Sequence, residues 1–153
     1  MTPDLEHAID RWINEEQRWG NAAYPPAPPQ AIETLRIDLA TAFHFELPVA
    51  CREMLARTDG MYDIGLRVFG SQQHAEDPDD PANETIMSAT EHIRAELAQA
   101  PLIVFATLND ELYVFNQATD IFEARELSES AGVWKTFLDF DAMATFVLLR
   151  ALD

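Results

Sequence analysis

Four histidines, one cysteine and 27 acidic residues carry most of the chemistry open to this 153-residue chain. Cys51 follows His44 closely, a proximity that suits a thiolate nucleophile with a histidine base. It also shares an apolar helical face with Met54 and Leu55, and that placement predicts a buried, inert thiol. His7, His44, His74 and His92 lack the spacing of a metal-binding helix or loop, so each is expected to be exposed or to make a single hydrogen bond. The densest carboxylate run is EDPDDPANE, from Glu76 to Glu84. It has the charge of a calcium loop. However, it lacks glycine at the sixth position and sets prolines where an EF-hand needs donors and tight turns. No GxGxxG, GxxxxGK[ST], GxSxG, HExxH or CxxC occurs, so no catalytic residue, metal ligand or cofactor is expected. What the run does suit is electrostatic docking, because Glu76, Asp77, Asp79, Asp80 and Glu84 on a proline-constrained loop can reach Arg and Lys side chains across an interface. A solvated loop with no partner is the simpler reading of the same residues.

The whole-chain charge points the same way. Ten basic residues against 27 acidic ones leave a formal net charge of −17. A field of that sign repels phosphate backbones and anionic lipid, which argues against nucleic acid and membrane surfaces as partners. It accelerates encounter with a basic protein; equally, it serves to keep a cytosolic protein soluble. One cysteine permits no intramolecular disulfide, which fits a reducing compartment. MTPDLEHAIDRW places acids where a signal peptide has bases, and no segment approaches the roughly 20 apolar residues that span a bilayer. The expectation is a cytoplasmic protein.

The elements that must position these residues follow from spacing. Thr2, Pro3 and Asp4 read as N-cap, N1 and first-turn acid of a helix carrying Leu5, Ile9, Trp12, Ile13 and Glu16. Trp12 and Trp19 are expected in the core. YPPAPPQ, Tyr24 to Gln30, is a stiff connector. A second helix, from about Gln30 to Phe43, buries Ile32, Leu35, Leu39 and Phe43. Leu47-Pro48 opens a third, with Cys51, Met54 and Leu55 inward, and Asp59-Gly60 ends it. MYDIGLRVFG alternates as one half-buried strand, with Ile64, Leu66 and Val68 on one side and Gly65, Arg67 and Phe69 on the other. Ser71 to Asn83 is a surface loop, and Asn83 caps a helix carrying Ile86, Ala89 or Thr90, Ile93 and Leu97, which Pro101 stops. Leu102 to Thr107, Glu111 to Phe115 and Ile121 to Arg125 read as antiparallel strands joined by short turns. Val133 to Leu138 fits strand or helix equally, and Asp141 is the N-cap or first turn of a last helix.

Taken in order, Leu47-Pro48, Cys51, Met54 and Leu55, Asp59-Gly60 and a strand ending Phe69-Gly70 resemble the SUKH superfamily of SMI/KNR type, whose signature runs approximately LPxxYxxFL, a short gap, NG and a strand. The PLIVFATLNDELYVFNQATDIFEARE meander and the terminal FDAMATFVLLRAL are similar to its bacterial YrhA-like branch. The resemblance extends over roughly Ala31 to Leu152. Cys51 stands where the pattern has Tyr, Met54 where it has Phe, and Asp59 where it has Asn. The resemblance implies an α+β fold: a single domain in which an antiparallel β-sheet of about four or more strands is flanked by helices. Residues 1–29 would supply an N-terminal helix and proline-rich connector and residues 30–153 the SUKH-like domain, together one globular unit. It further implies a non-enzymatic, cytoplasmic immunity protein, monomer or weak homodimer, that binds and neutralises a cognate polymorphic toxin, with a basic nuclease-type toxin the partner that fits the charge. The alternative is a regulatory or scaffold interaction protein of the SMI/KNR type with no toxin partner. The expected partner-binding residues are Tyr62, Asp63, Arg67, Phe69, Glu76, Asp77, Asp79, Asp80 and Glu84, with Tyr62 or Phe69 as aromatic anchors.

Overall fold

Helix α1, Pro3–Arg18, begins as its first residues dictate. Thr2 Oγ1 accepts from Leu5 N at 3.3 Å, Pro3 needs no N–H partner, and Asp4 and Glu6 place carboxylates at the positive end of the helix dipole. Leu5, Ala8, Ile9 and Trp12 are buried, and α1 packs on the C-terminal helix. Burying each of the larger side chains contributes about 1.5–3 kcal/mol. Trp19 departs from expectation: it is 72% exposed because it is the C-cap, where the helical period no longer governs direction. The chain is seen here in a computed structural model that describes residues 1–21, 23–63, 65–75, 79–80, 83–97, 101–127 and 132–153.

Pro29 starts α2 (Pro29–Phe43), and His44, in the left-handed region at φ 53°, ends it. Pro48 is the N-cap of α3 (Val49–Leu55), which buries Ala50, Cys51, Met54 and Leu55. Asp59-Gly60 does not end this helix, because Ala56 is already its C-cap. These two residues instead start the sheet. Gly60 sits at φ 92°, where a Cβ would lie 2.7 Å from the Val68 carbonyl oxygen.

MYDIGLRVFG forms two strands where the sequence reading had one. β1 (Met61–Asp63) and β2 (Leu66–Val68) pair antiparallel, Tyr62 opposite Arg67, around a turn that carries Gly65 at φ 85°. A glycine that accepts positive φ lets the chain reverse within the alternating run. The Gly65 carbonyl then accepts from Asn109 N at 2.7 Å, which ties the turn to the next hairpin. The side assigned to Ile64 lies outside the described residues.

Helix α4, Ile86–Glu96, is capped by Thr85 and not by Asn83. Thr85 Oγ1 accepts from Ser88 N at 3.1 Å and Ser88 Oγ accepts from Thr85 N at 2.8 Å, a reciprocal box. Then come β3 (Leu102–Leu108), β4 (Glu111–Asn116), β5 (Ile121–Glu126) and β6 (Val133–Phe137), followed by α5 (Phe140–Leu152), capped by Asp139 with Asp141 in its first turn. Val133 to Phe137 is strand, since it continues the sheet beside β5. Among the described residues the chain forms five helices and one open sheet in the order β1-β2-β3-β4-β5-β6, every neighbour antiparallel. The fold class is α+β.

The two faces of the sheet differ in chemistry. One carries Phe115 and Phe122, whose ring centroids are 4.9 Å apart, and Phe105 and Phe122 pack against Phe140 of α5 at 5.2 and 6.3 Å. The other presents a row in register across the sheet, Tyr62, Arg67, Thr107, Leu112 and Arg125. Helix α4 packs on β3. A register shift between Val104 and Ala106 turns the Val104 N–H out of the ladder, and Thr90 Oγ1 of α4 accepts it at 3.0 Å. At the far edge the central Lys135 of β6 discourages pairing with another chain. Among the described residues no helix is long and apolar enough to cross a membrane.

Candidate functional site

The polar row of the sheet, α4 and the segment after β2 enclose a groove of about 820 Å³. Thr107 and Arg67 contribute to its sheet side, and Gly65 and Asn109 come from the adjacent turns. Ser88, His92 and Glu96, spaced one helical turn apart, bring α4 to it. Asp79, Asp80 and Glu84 line it from the segment that follows β2.

All seven described members of the expected partner-binding set line this one groove: Tyr62, Asp63, Arg67, Phe69, Asp79, Asp80 and Glu84. Glu76 and Asp77 lie outside the described residues. Phe69 is only 4% exposed, so it is a core residue reaching the groove wall and not a projecting anchor. Its burial follows from the hairpin, whose reversal sends the end of β2 inward against β3, where Phe69 N donates to the Phe105 carbonyl. Tyr62, 42% exposed, is the aromatic that faces outward.

Charge in the groove is predominantly negative. Asp63, Asp79, Asp80, Glu84 and Glu96 line it together with Arg67, whose guanidinium lies 3.7 Å from Glu84 Oε2 and 5.7 Å from the Tyr62 ring centroid. His92 Nε2 lies 3.2 Å from Glu96 Oε1. Such solvent-exposed pairs contribute about 0–1 kcal/mol each. Their use is therefore in the field they set at the surface rather than in holding the fold.

Buried side chains fix the loop beside the groove. Asn83, read from the sequence as a helix cap, is 5% exposed; its Oδ1 accepts from His74 N at 3.0 Å and Ala75 N at 2.7 Å, and its Nδ2 donates to the Ala75 carbonyl at 3.0 Å. Asp59 Oδ1 accepts from Ser71 N at 2.6 Å and Ser71 Oγ at 2.9 Å. The His74 ring makes the single hydrogen bond expected of it, and it also stacks on Tyr24 with centroids 4.7 Å apart. Its Nε2 makes an aligned bond with the Asp59 carbonyl oxygen at 2.9 Å and lies 3.0 Å from Asp59 Oδ2 without hydrogen-bond alignment. Ser71 and His74 are thus clamped onto the start of β1, and Asn83 closes the loop on itself.

Glu16 is the residue whose importance the spacing did not reveal. It occupies the inward stripe of α1, is 6% exposed, and hydrogen-bonds the Asp63 side chain. Burial and then the Asp63 carboxyl push Glu16 up to about 7, against a small lowering by the Asn21 side chain. A carboxylate on an apolar helical stripe is the signal that could have found it. The cysteine has no such environment: Cys51 is fully buried, burial holds its thiol well above the usual range, and His44 is exposed at the end of α2. Among the described residues no group of three or more His, Cys, Asp or Glu side chains could hold a metal ion. Comparison with protein-family models, with characterised proteins and with solved structures finds no match to this chain.

Proposed function

We propose that this chain is a non-enzymatic immunity protein of the SUKH type, acting in the cytoplasm by binding a basic toxin domain and covering its active or substrate-binding surface. One observation carries the reading: a groove of about 820 Å³ lined, among the described residues, by five carboxylates and one guanidinium, on a chain of net charge −17. Opposed potentials of this kind raise association rates and select against acidic competitors. The clamped loop adds to the case, because carboxylates held in place before binding lose less entropy on meeting an Arg or Lys. Tyr62 would supply the outward aromatic contact within the polar rim. The order of motifs from Leu47-Pro48 to Phe69-Gly70 supports the family assignment.

Co-purification with the product of the adjacent gene, together with rescue of cells expressing that product, tests the function. The expected result is a stable complex and survival; a neighbour that neither binds nor is toxic ends the proposal. Within such a complex, changing Asp79 and Asp80 together to Asn should slow association and flatten its dependence on salt, by roughly one to two charges' worth of steering. Unaltered association kinetics would remove the groove rim from the interface.

A further inference from the structure

The sheet leaves a free edge at β6. This strand pairs with β5 on one side only, ends the strand order, and exposes four of its five residues. A register shift against β5 takes Trp134 out of the ladder, so the regular edge begins at Lys135. Beyond Phe137 the chain is still extended at Asp139, with φ −155° and ψ 180°, before α5 starts at Phe140. The edge therefore reads Lys135, Thr136, Phe137, Leu138, Asp139, a cation at one end and a carboxylate at the other. Leu138 is 94% exposed, and Ile121, which opens the neighbouring β5, is exposed too. Lys135 Nζ lies over the Phe146 and Phe137 rings at 4.9 and 5.7 Å and, among the described residues, meets no carboxylate. Asp139 Oδ1 accepts from Ala142 N at 2.8 Å as the α5 cap, and its second oxygen is open to another donor.

We propose that this edge pairs with the same edge of a second copy, antiparallel about a two-fold axis at Phe137, so that Lys135 of each copy stands opposite Asp139 of the other. Symmetry limits the choice of register. A two-fold axis perpendicular to the sheet sets residues of the same face opposite each other, so every allowed register is centred on a residue. Centring on Lys135 brings two ammonium groups face to face, which is the pairing an edge lysine prevents. Centring on Thr136 sets Lys135 opposite Phe137 and leaves Asp139 without an opposite charge. Centring on Phe137 matches both charges, twice by symmetry, and covers Leu138 with Thr136 and Phe137 with its own copy. The lysine thus selects one register rather than closing the edge. Net charges of −17 on each copy oppose association, but physiological salt screens charges farther apart than about 8 Å and spares the direct contacts. The product is a continuous sheet of six strands from each copy, with Tyr62 and Arg67 of the two grooves toward its far ends. The dimer does not rest on reading the groove as a partner site.

Sedimentation equilibrium of the full chain at physiological salt tests the pairing. A run of five residues is a small interface, so the range to cover is from about 10 μM to about 1 mM. The expected result is a reversible monomer–dimer equilibrium. Lys135→Glu sets like charges opposite each other twice and should weaken the dimer about tenfold or more. Asp139→Lys does the same from the other side. An equimolar mixture of the two variants restores both ion pairs, so it should form a mixed dimer tighter than either variant makes alone. Should Asp139→Lys fold poorly for want of its cap, Asp139→Asn keeps a capping side chain and should still weaken the dimer. A chain that stays monomeric at about 1 mM overturns the proposal. So does a dimer indifferent to Lys135→Glu, which must be built on another face, and so do folded variants that fail to combine. Capture of a foreign strand by a chain that never pairs with itself would also refute it. No toxin enters these measurements, so their failure leaves the immunity reading standing, and absence of a toxin leaves the dimer as it is.

Discussion

Replacing Glu16 by glutamine should make the protein more stable at alkaline pH and leave it nearly unchanged in acid. Glu16 carries a proton up to about pH 7 in the folded chain, against 4.5 for an ordinary glutamate. An acid whose folded pKa is raised binds its proton more tightly when folded. Its contribution to stability is therefore complete below about pH 4.5, is lost progressively between about 4.5 and 7, and stays lost above that. At 1.36 kcal/mol per pH unit the loss amounts to about 3 kcal/mol. The amide introduced by Glu16→Gln would donate an N–H to Asp63 at every pH, as the protonated acid does, so the variant escapes the loss. Urea unfolding at about pH 4.5 and about pH 8 measures the difference. The variant should match the parent within about 1 kcal/mol in acid and exceed it by about 3 kcal/mol in base, roughly 6–12 °C in midpoint temperature for a domain of this size. A gap of the same size at both pH values would show that Glu16 is ionised throughout, and would refute the argument from burial.

Three further outcomes follow from individual contacts. Asn83→Ala removes the side chain that holds His74 N, Ala75 N and the Ala75 carbonyl, so stability should fall by about 2 kcal/mol and protease cleavage near residue 75 should accelerate; an unchanged cleavage rate means that Asn83 does not hold this loop. Gly65→Ala puts a Cβ 2.5 Å from Asn109 Oδ1 at a φ of 85°, and chemical denaturation should register a cost of about 1–3 kcal/mol. A neutral result there would mean that the turn relaxes. Cys51 should react with a thiol reagent at the rate of global unfolding, since it is fully buried. Rapid labelling of the native protein would contradict that burial.

Much of the fold was legible because its signals are local. The apolar spacing of Leu5, Ile9 and Trp12 and the short turns that separate the three strands from Leu102 onward act over a few residues, and they form helix and strand as expected. Charge was legible too, so the residues placed around the groove include those nominated from the sequence. The errors came where a distant partner decides. MYDIGLRVFG alternates as a strand should, yet Asn109, far along the chain, holds Gly65 in the turn that folds it in two. Asn83 has the look of a cap, but Thr85 wins that position, because its hydroxyl and that of Ser88 satisfy each other's backbone donors and leave Asn83 to close the loop.

By itself, then, the sequence determined most of the element types and the acidity of the chain, since periodicity and net charge need no knowledge of where other elements lie; the α+β class came from what the resemblance implies. Only the tertiary structure decided that Phe69 is core while Tyr62 faces out, that His74 is stacked and clamped, and that Glu16 meets Asp63. These depend on which surfaces face each other across long stretches of chain. A carboxyl group becomes a proton store rather than a solvated charge only when packing removes its water and sets a second carboxyl beside it.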